Sequence, residues 1–138
     1  MGELAAIMHS HRAAALPCGI QPAGRHLDIN VRARSQVHVI QLRGPLRLGE
    51  AVDGFRQALD ELRDSGHARL VINLAEVPMI DSSGIGLLVR ALASVKQRGG
   101  NIKLVNPSKF AVQTLKLVGV LNLFEVFNDE DKAVESFR

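Results

Sequence analysis

The run Leu70-Val71-Ile72-Asn73-Leu74 constrains the fold of this chain more than any other stretch. It is apolar on successive positions and rich in β-branched residues, the pattern of a strand covered on both faces. A half-exposed strand would alternate instead. Such a strand needs parallel neighbours, and parallel neighbours need crossover connections. The residues on either side supply them. Val77 to Ile80 form a short loop, and Asp81-Ser82-Ser83-Gly84 opens an amphipathic helix in which Ile85, Leu88, Leu92 and Val95 share one face.

The remaining pattern repeats this theme. Leu27, Ile29 and Val31 alternate with polar residues, Ala33 to Gln36 are a polar turn, and Val37 to Leu42 form a second strand. Their closeness predicts an antiparallel hairpin. Val52, Phe55, Leu59 and Leu62 mark a helix that Gly66 stops. After the central helix come the Gly99-Gly100 stop and a strand at Ile102, Leu104 and Val105. A helix opened by Pro107 carries Ala111, Leu115 and Val118 as its apolar stripe, and Gly119 ends it. Leu121 to Phe127 reads as the last strand, and Asn128 caps a terminal helix with Asp129, Glu130 and Asp131 in its first turn. The predicted order is ββαβαβαβα, an α/β fold on a mixed, largely parallel sheet.

The chain has 138 residues, room for one domain with its own core. Residues 1–25 read as a flexible tail broken by Pro17, Gly19, Pro22 and Gly24, and residues 26–138 as the domain. His9 and His11 in the tail are too few to predict a metal site, and no Cys pair or His-x-x-x-His spacing occurs elsewhere. The net charge is +3 without a basic block, and there is neither Trp nor Tyr, so neither a nucleic-acid surface nor a membrane surface is expected. The single Cys18, the absence of an apolar run of spanning length and the lack of a secretion signal point to the cytoplasm.

Asp81-Ser82-Ser83-Gly84 is the one stretch that draws a functional reading. Asp and Ser are favoured helix caps on residue type alone. The enzymatic alternative requires a base near a sharp Gly-x-Ser-x-Gly elbow, and neither Ser has Gly two residues before it. His38 and His67 are not placed by spacing to serve as that base. Gly84-Ile85-Gly86 is not a nucleotide-binding glycine motif, since position 89 is Val, and no Walker-type motif occurs. On composition alone capping comes first; the functional reading is that one serine is a phosphorylation switch, since a serine at a helix start gains about −1.5 to −2 charge on phosphorylation.

At these residues the chain resembles the STAS family, the anti-sigma factor antagonist domain. The likeness runs through Leu70 to Leu74, Val77, Ile80 and Asp81 to Gly86. It continues in Gly99-Gly100, Ile102 to Asn106, and Val118 through Phe124, so that it covers roughly residues 27–138. The resemblance implies a STAS-like sheet with helices mainly on one side, no catalysis and no cofactor. It implies that Ser82 is the phosphoacceptor of an anti-sigma factor serine kinase using ATP, and that a PP2C-type phosphatase removes the phosphate. The unphosphorylated form would bind the kinase and free a sigma factor. Asp81, Ser83 and Gly84 would shape the loop, and Ile85 and Gly86 would begin the partner-facing helix. The family's frequent Gly-x-Leu-Asp is Gly44-Pro45-Leu46-Arg47 here, which makes Arg47 a candidate partner for a phosphate on Ser82. The alternative is a scaffold or ligand-sensing STAS domain that is never phosphorylated.

Overall fold

The structure is a computed structural model and describes residues 26–137. The predicted tail, with His9, His11 and Cys18, lies outside the described residues. Strands β1 (Asp28–Arg34) and β2 (Val37–Arg43) form the hairpin. Helix α1 (Glu50–Asp64), strand β3 (Arg69–Glu76), helix α2 (Ser82–Gln97) and strand β4 (Asn101–Val105) follow. The chain then forms helix α3 (Lys109–Val118), a 3-10 turn (Leu121–Leu123), strand β5 (Glu125–Phe127) and helix α4 (Glu130–Glu135).

The sheet order is β1-β2-β3-β4-β5, with β1 antiparallel to β2 and every later pairing parallel. Each parallel strand sits beside its predecessor on the same side. Three right-handed crossovers in one direction must place their helices on one face. Thus α1, α2 and α3 cover one side, and the apolar stripes of the sequence meet there. Phe55, Leu59 and Leu62 of α1 and Leu88, Leu92 and Val95 of α2 pack on Ile40, Leu42, Leu70, Ile72, Leu74, Ile102 and Leu104 of the strands.

The chain after β5 returns over the opposite face. There Ala133 and Val134 of α4 cover Val37, Val39, Val71 and Val105, with Phe127 and Phe137 beside them. Leu70, Ile72 and Leu74 therefore face the large core while Val71 faces the small one, which is why the run in β3 does not alternate. Two charged groups are part of this second layer. Lys103 is only 5% exposed, and its Nζ donates to Ser136 Oγ at 2.7 Å and lies 4.3 Å from the Phe137 ring centre. Glu130 accepts from Arg32 at 3.0 Å, Arg34 at 2.8 Å and Asn73 Nδ2 at 3.1 Å, so the one polar residue of the central run anchors the start of α4.

Five local expectations need correction. The hairpin turn is only Ser35-Gln36, because Arg34 still pairs with Val37. Pro107 does not open α3: Ser108 is the cap and accepts from Ala111 N–H at 3.0 Å, which leaves Pro107 just outside. Val118 is 52% exposed, so the buried stripe of α3 is Ala111 and Leu115 alone. Leu121 to Phe127 is not one strand. After the left-handed Gly119, the N–H groups of Val120, Leu123 and Phe124 bond to carbonyls three to five residues back, and only Glu125–Phe127 is free to pair with β4. The cap of the last helix is Asp129 rather than Asn128, since the Asp129 carboxylate accepts from Asp131 N–H at 2.8 Å.

The Glu130 carboxyl is held down from 4.5 to about 2, first by its Arg32 hydrogen bonds, against the opposing effect of burial, and then by Asn73 and Arg34. A carboxyl depressed on folding adds stability above its unfolded pKa and loses it as pH falls through the folded value. Glu130→Gln should therefore cost about 1–2 kcal/mol at pH 7, after allowing for the screening of a partly exposed pair. In urea unfolding of both proteins, the difference should shrink as pH falls from 4.5 towards 2.

Candidate functional site

Two loops meet at the carboxyl ends of β2 and β3. The first, residues 44–49, leads from β2 into α1; the second, residues 77–81, leads from β3 into α2. They are joined as a short continuation of the sheet. Gly44 N–H donates to Glu76 O at 2.9 Å, Leu46 N–H to Met79 O at 3.0 Å and Asp81 N–H to Leu46 O at 3.1 Å. Leu46 and Ile80, bridged in parallel, are fully buried and fix this junction to the core. Gly44 has a φ of 119°, and a Cβ there would overlap the carbonyl of His26, so no other residue makes this exit from β2 without rearrangement.

Asp81 ties the loops together through its side chain. One oxygen accepts from Gly84 N–H at 3.0 Å and caps α2; the other accepts from Leu48 N–H at 2.9 Å, across from the first loop. Burial pushes the carboxyl pKa up, but the N–H groups of Leu48, Gly84 and Ser83, with the charge of Arg47, outweigh it and hold the group below the usual carboxylate range. Asp81 is therefore ionised and fixed, not a general acid. Ser82 is the first residue of α2 and is exposed, while Ser83 is half-buried. Among the described residues neither hydroxyl makes a hydrogen bond to another side chain or to the backbone.

Gly84 and Gly86 differ in kind. A Cβ on Gly84 would lie 2.9 Å from both Ile80 Cγ2 and Leu46 Cγ, so the helix start reaches the buried junction only because this residue has no side chain. A Cβ on Gly86 would meet only the mobile end of Arg90, at 3.3 Å. Ile85 is buried in the core below. The predicted partner-facing role of Ile85 needs correction: its side chain points inward, and Gly86 alone of that pair reaches the surface. Arg47 is exposed on the first loop, close enough to Asp81 to lower its pKa. Leu48 next to it is 76% exposed.

The sequence marked Leu46 and Ile80 only as motif positions, without this junction, and did not single out Leu48. Their roles come from pairing between loops more than thirty residues apart; the only local signal was the Gly44-Pro45 break. The two histidines weighed as bases lie elsewhere. His38 pairs with Leu70 near the start of the parallel strands and stacks on His67 at 3.9 Å, whereas Ser82 follows the far end of β3.

Comparison with known proteins bears on the domain as a whole. Residues 28–133 match the family model described as the STAS domain. The chain belongs to the STAS family. A relative from Bacillus subtilis, the anti-sigma-B factor antagonist, is 28% identical over 114 residues, covering 79% of this chain and 100% of the relative. Among solved structures, an anti-sigma factor antagonist from Mycobacterium paratuberculosis superposes with a TM-score of 0.72 at 19% identity, covering 84% of this chain and 97% of that one. The Bacillus cell fate determinant SpoIIAA in its phosphorylated form gives 0.66 at 22% identity, with 80% and 100% covered. At these identities the structures speak for the fold. Among the described residues of this STAS chain, no helix is long and apolar enough to cross a membrane.

The contrast between the two glycines is testable by chemical denaturation. Gly84→Ala should destabilise the fold by about 1–3 kcal/mol through overpacking against Leu46 and Ile80. Gly86→Ala should be neutral or stabilising by up to about 1 kcal/mol, since it removes a helix-interior glycine on an open face.

Proposed function

We propose that this STAS domain is an anti-sigma factor antagonist switched by phosphorylation of Ser82. In this reading it is a non-catalytic partner-switching protein. Unphosphorylated, it binds an anti-sigma factor that is also its serine kinase; phosphorylated, it releases that partner, and a PP2C-type phosphatase resets it. The observation that carries the proposal is Ser82 itself: an exposed, uncommitted hydroxyl on the first residue of a helix whose start is locked by Asp81. The name of the Bacillus subtilis relative and the phosphorylated form in which SpoIIAA was solved support it.

The physical argument concerns where the added charge acts. A phosphate on Ser82 brings about −1.5 to −2 charge and three strong acceptors. The N-terminal end of α2 favours that charge, and Arg47 offers a cation on the adjoining loop. Asp81 opposes it. These contributions largely offset one another within the domain, so the fold tolerates the modification. A partner seated over Ser82 has no such compensation: it would have to bury a dianion against its own surface. The exposed Leu48 on the adjoining loop and the half-buried Gly86 one turn into α2 belong to the surface such a partner would cover.

Incubation with ATP and the cognate kinase, followed by mass-spectrometric mapping, should place a single phosphate on Ser82. Ser82→Ala should remain unmodified and fold with wild-type stability, within about 0.5 kcal/mol. Ser82→Asp should weaken kinase binding about tenfold or more, equivalent to about 1.4 kcal/mol. Phosphate at another residue, or equal binding by Ser82→Asp and wild type, would refute the assignment.

A further inference from the structure

A slot opens between α1 and α2 on the outer, helical side of the domain. Its volume is about 220 Å³, below the roughly 300 Å³ at which sites for drug-sized ligands begin, so its occupant must be small. The slot exists because Ala91 and Ser94, on the side of α2 that lines it, are short. Helices at ordinary packing distance close such a gap with larger side chains. Here the gap runs down between the helices to Leu70 of β3, and Leu59 and Val95 complete an apolar floor.

The rim has the opposite character. Arg56, Arg63 and Arg90 all line the slot, against one acid, Asp60. Asp60 is already neutralised by Arg63 at 3.3 Å, which also meets Asp64 at 3.3 Å. Arg56 is held only by an exposed pair with Asp53 one helical turn away, at 3.1 Å, an interaction worth about 0.3–0.5 kcal/mol and readily exchanged. Arg90 is exposed and has no carboxylate within ion-pair distance among the described residues. Two guanidinium groups are thus available over an apolar slot. Guanidinium groups bind carboxylates in a two-point geometry that a single ammonium does not match.

We propose that this slot binds a small amphiphilic anion: a carboxylate on a short aliphatic chain, the chain against Leu59, Leu70 and Val95 and the head between Arg56 and Arg90. The inference stands on the slot alone and does not depend on Ser82 being a phosphoacceptor. The helices on either side of the slot are the two whose N-terminal ends Asp81 ties together through Leu48 and Gly84.

The test is titration of the full ¹⁵N-labelled chain with sodium octanoate, read by amide chemical shifts. Saturable shifts are expected at Leu59, Leu70, Ala91 and Ser94. Arg90→Gln, an exposed change that should not disturb folding, should weaken binding about tenfold by removing a charge-assisted contact. Ala91→Leu should abolish binding by filling the slot, and octanol should bind at least several-fold more weakly than octanoate. Absence of saturable shifts, indifference to Arg90→Gln, or equal binding of octanol would overturn the proposal.

Discussion

A right-handed crossover between neighbouring parallel strands is the constraint on which this molecule is built. β2, β3, β4 and β5 are laid down in sequence order across the sheet, so each crossover repeats the last. The repetition gathers α1, α2 and α3 on one face and leaves the other to the chain end. It also brings the carboxyl ends of β2, β3 and β4 to one edge, where the loops before α1, α2 and α3 all begin. The loop before α2 borders both of its neighbours for that reason: Leu46 and Asp81 pair on one side, and Ser108 Oγ reaches Pro78 O at 3.4 Å on the other.

Charge is used differently on the two faces. Beneath α4 the ionic groups are structural. Glu130 gathers Arg32, Arg34 and Asn73, and Lys103 is enclosed by Ser136 and aromatic rings. Removing one member of such a set strands the others, which is why these groups hold a six-residue helix in place despite a small apolar contact. At the loop before α2 the fixed charge is the Asp81 carboxylate, bound by backbone N–H groups. Asp81 uses one oxygen on the loop before α1 and the other on the first turn of α2, and the Ser82 hydroxyl beside it stays unengaged.

Much of the fold was legible because the decisive patterns are local. Period-two alternation marked β1, the unbroken run marked β3, and stripes at helical spacing marked α1 and α2. These patterns report how many faces of an element are covered, and that is enough to order the elements. The segment after Gly119 departs from the expected single strand because Leu121, Leu123, Phe124 and Val126 are apolar without being buried alike. Phe124 is 6% exposed, but Leu123 and Val126 are 49% and 43% exposed, so apolar content there did not signal a paired strand. Ile85 lies on the core side with Leu88, Leu92 and Val95, the stripe that helical spacing marks, so its place at the start of the helix does not make it part of the exposed surface.

The sequence by itself determined the order of elements, the two-sided burial of β3 and the position of a serine at the mouth of a helix. Each follows from hydrophobic spacing and capping chemistry within a few residues. Only the tertiary structure decided that Asp81 binds Leu48 as well as Gly84, that Gly84 is small because Leu46 and Ile80 press on it, and that Asn73 reaches Glu130. Those facts join residues 33 to 57 positions apart, or pack loops that meet only when β2 and β3 lie side by side. Spacing along the chain carries no record of such contacts, because the backbone must close into a sheet before the side chains can meet.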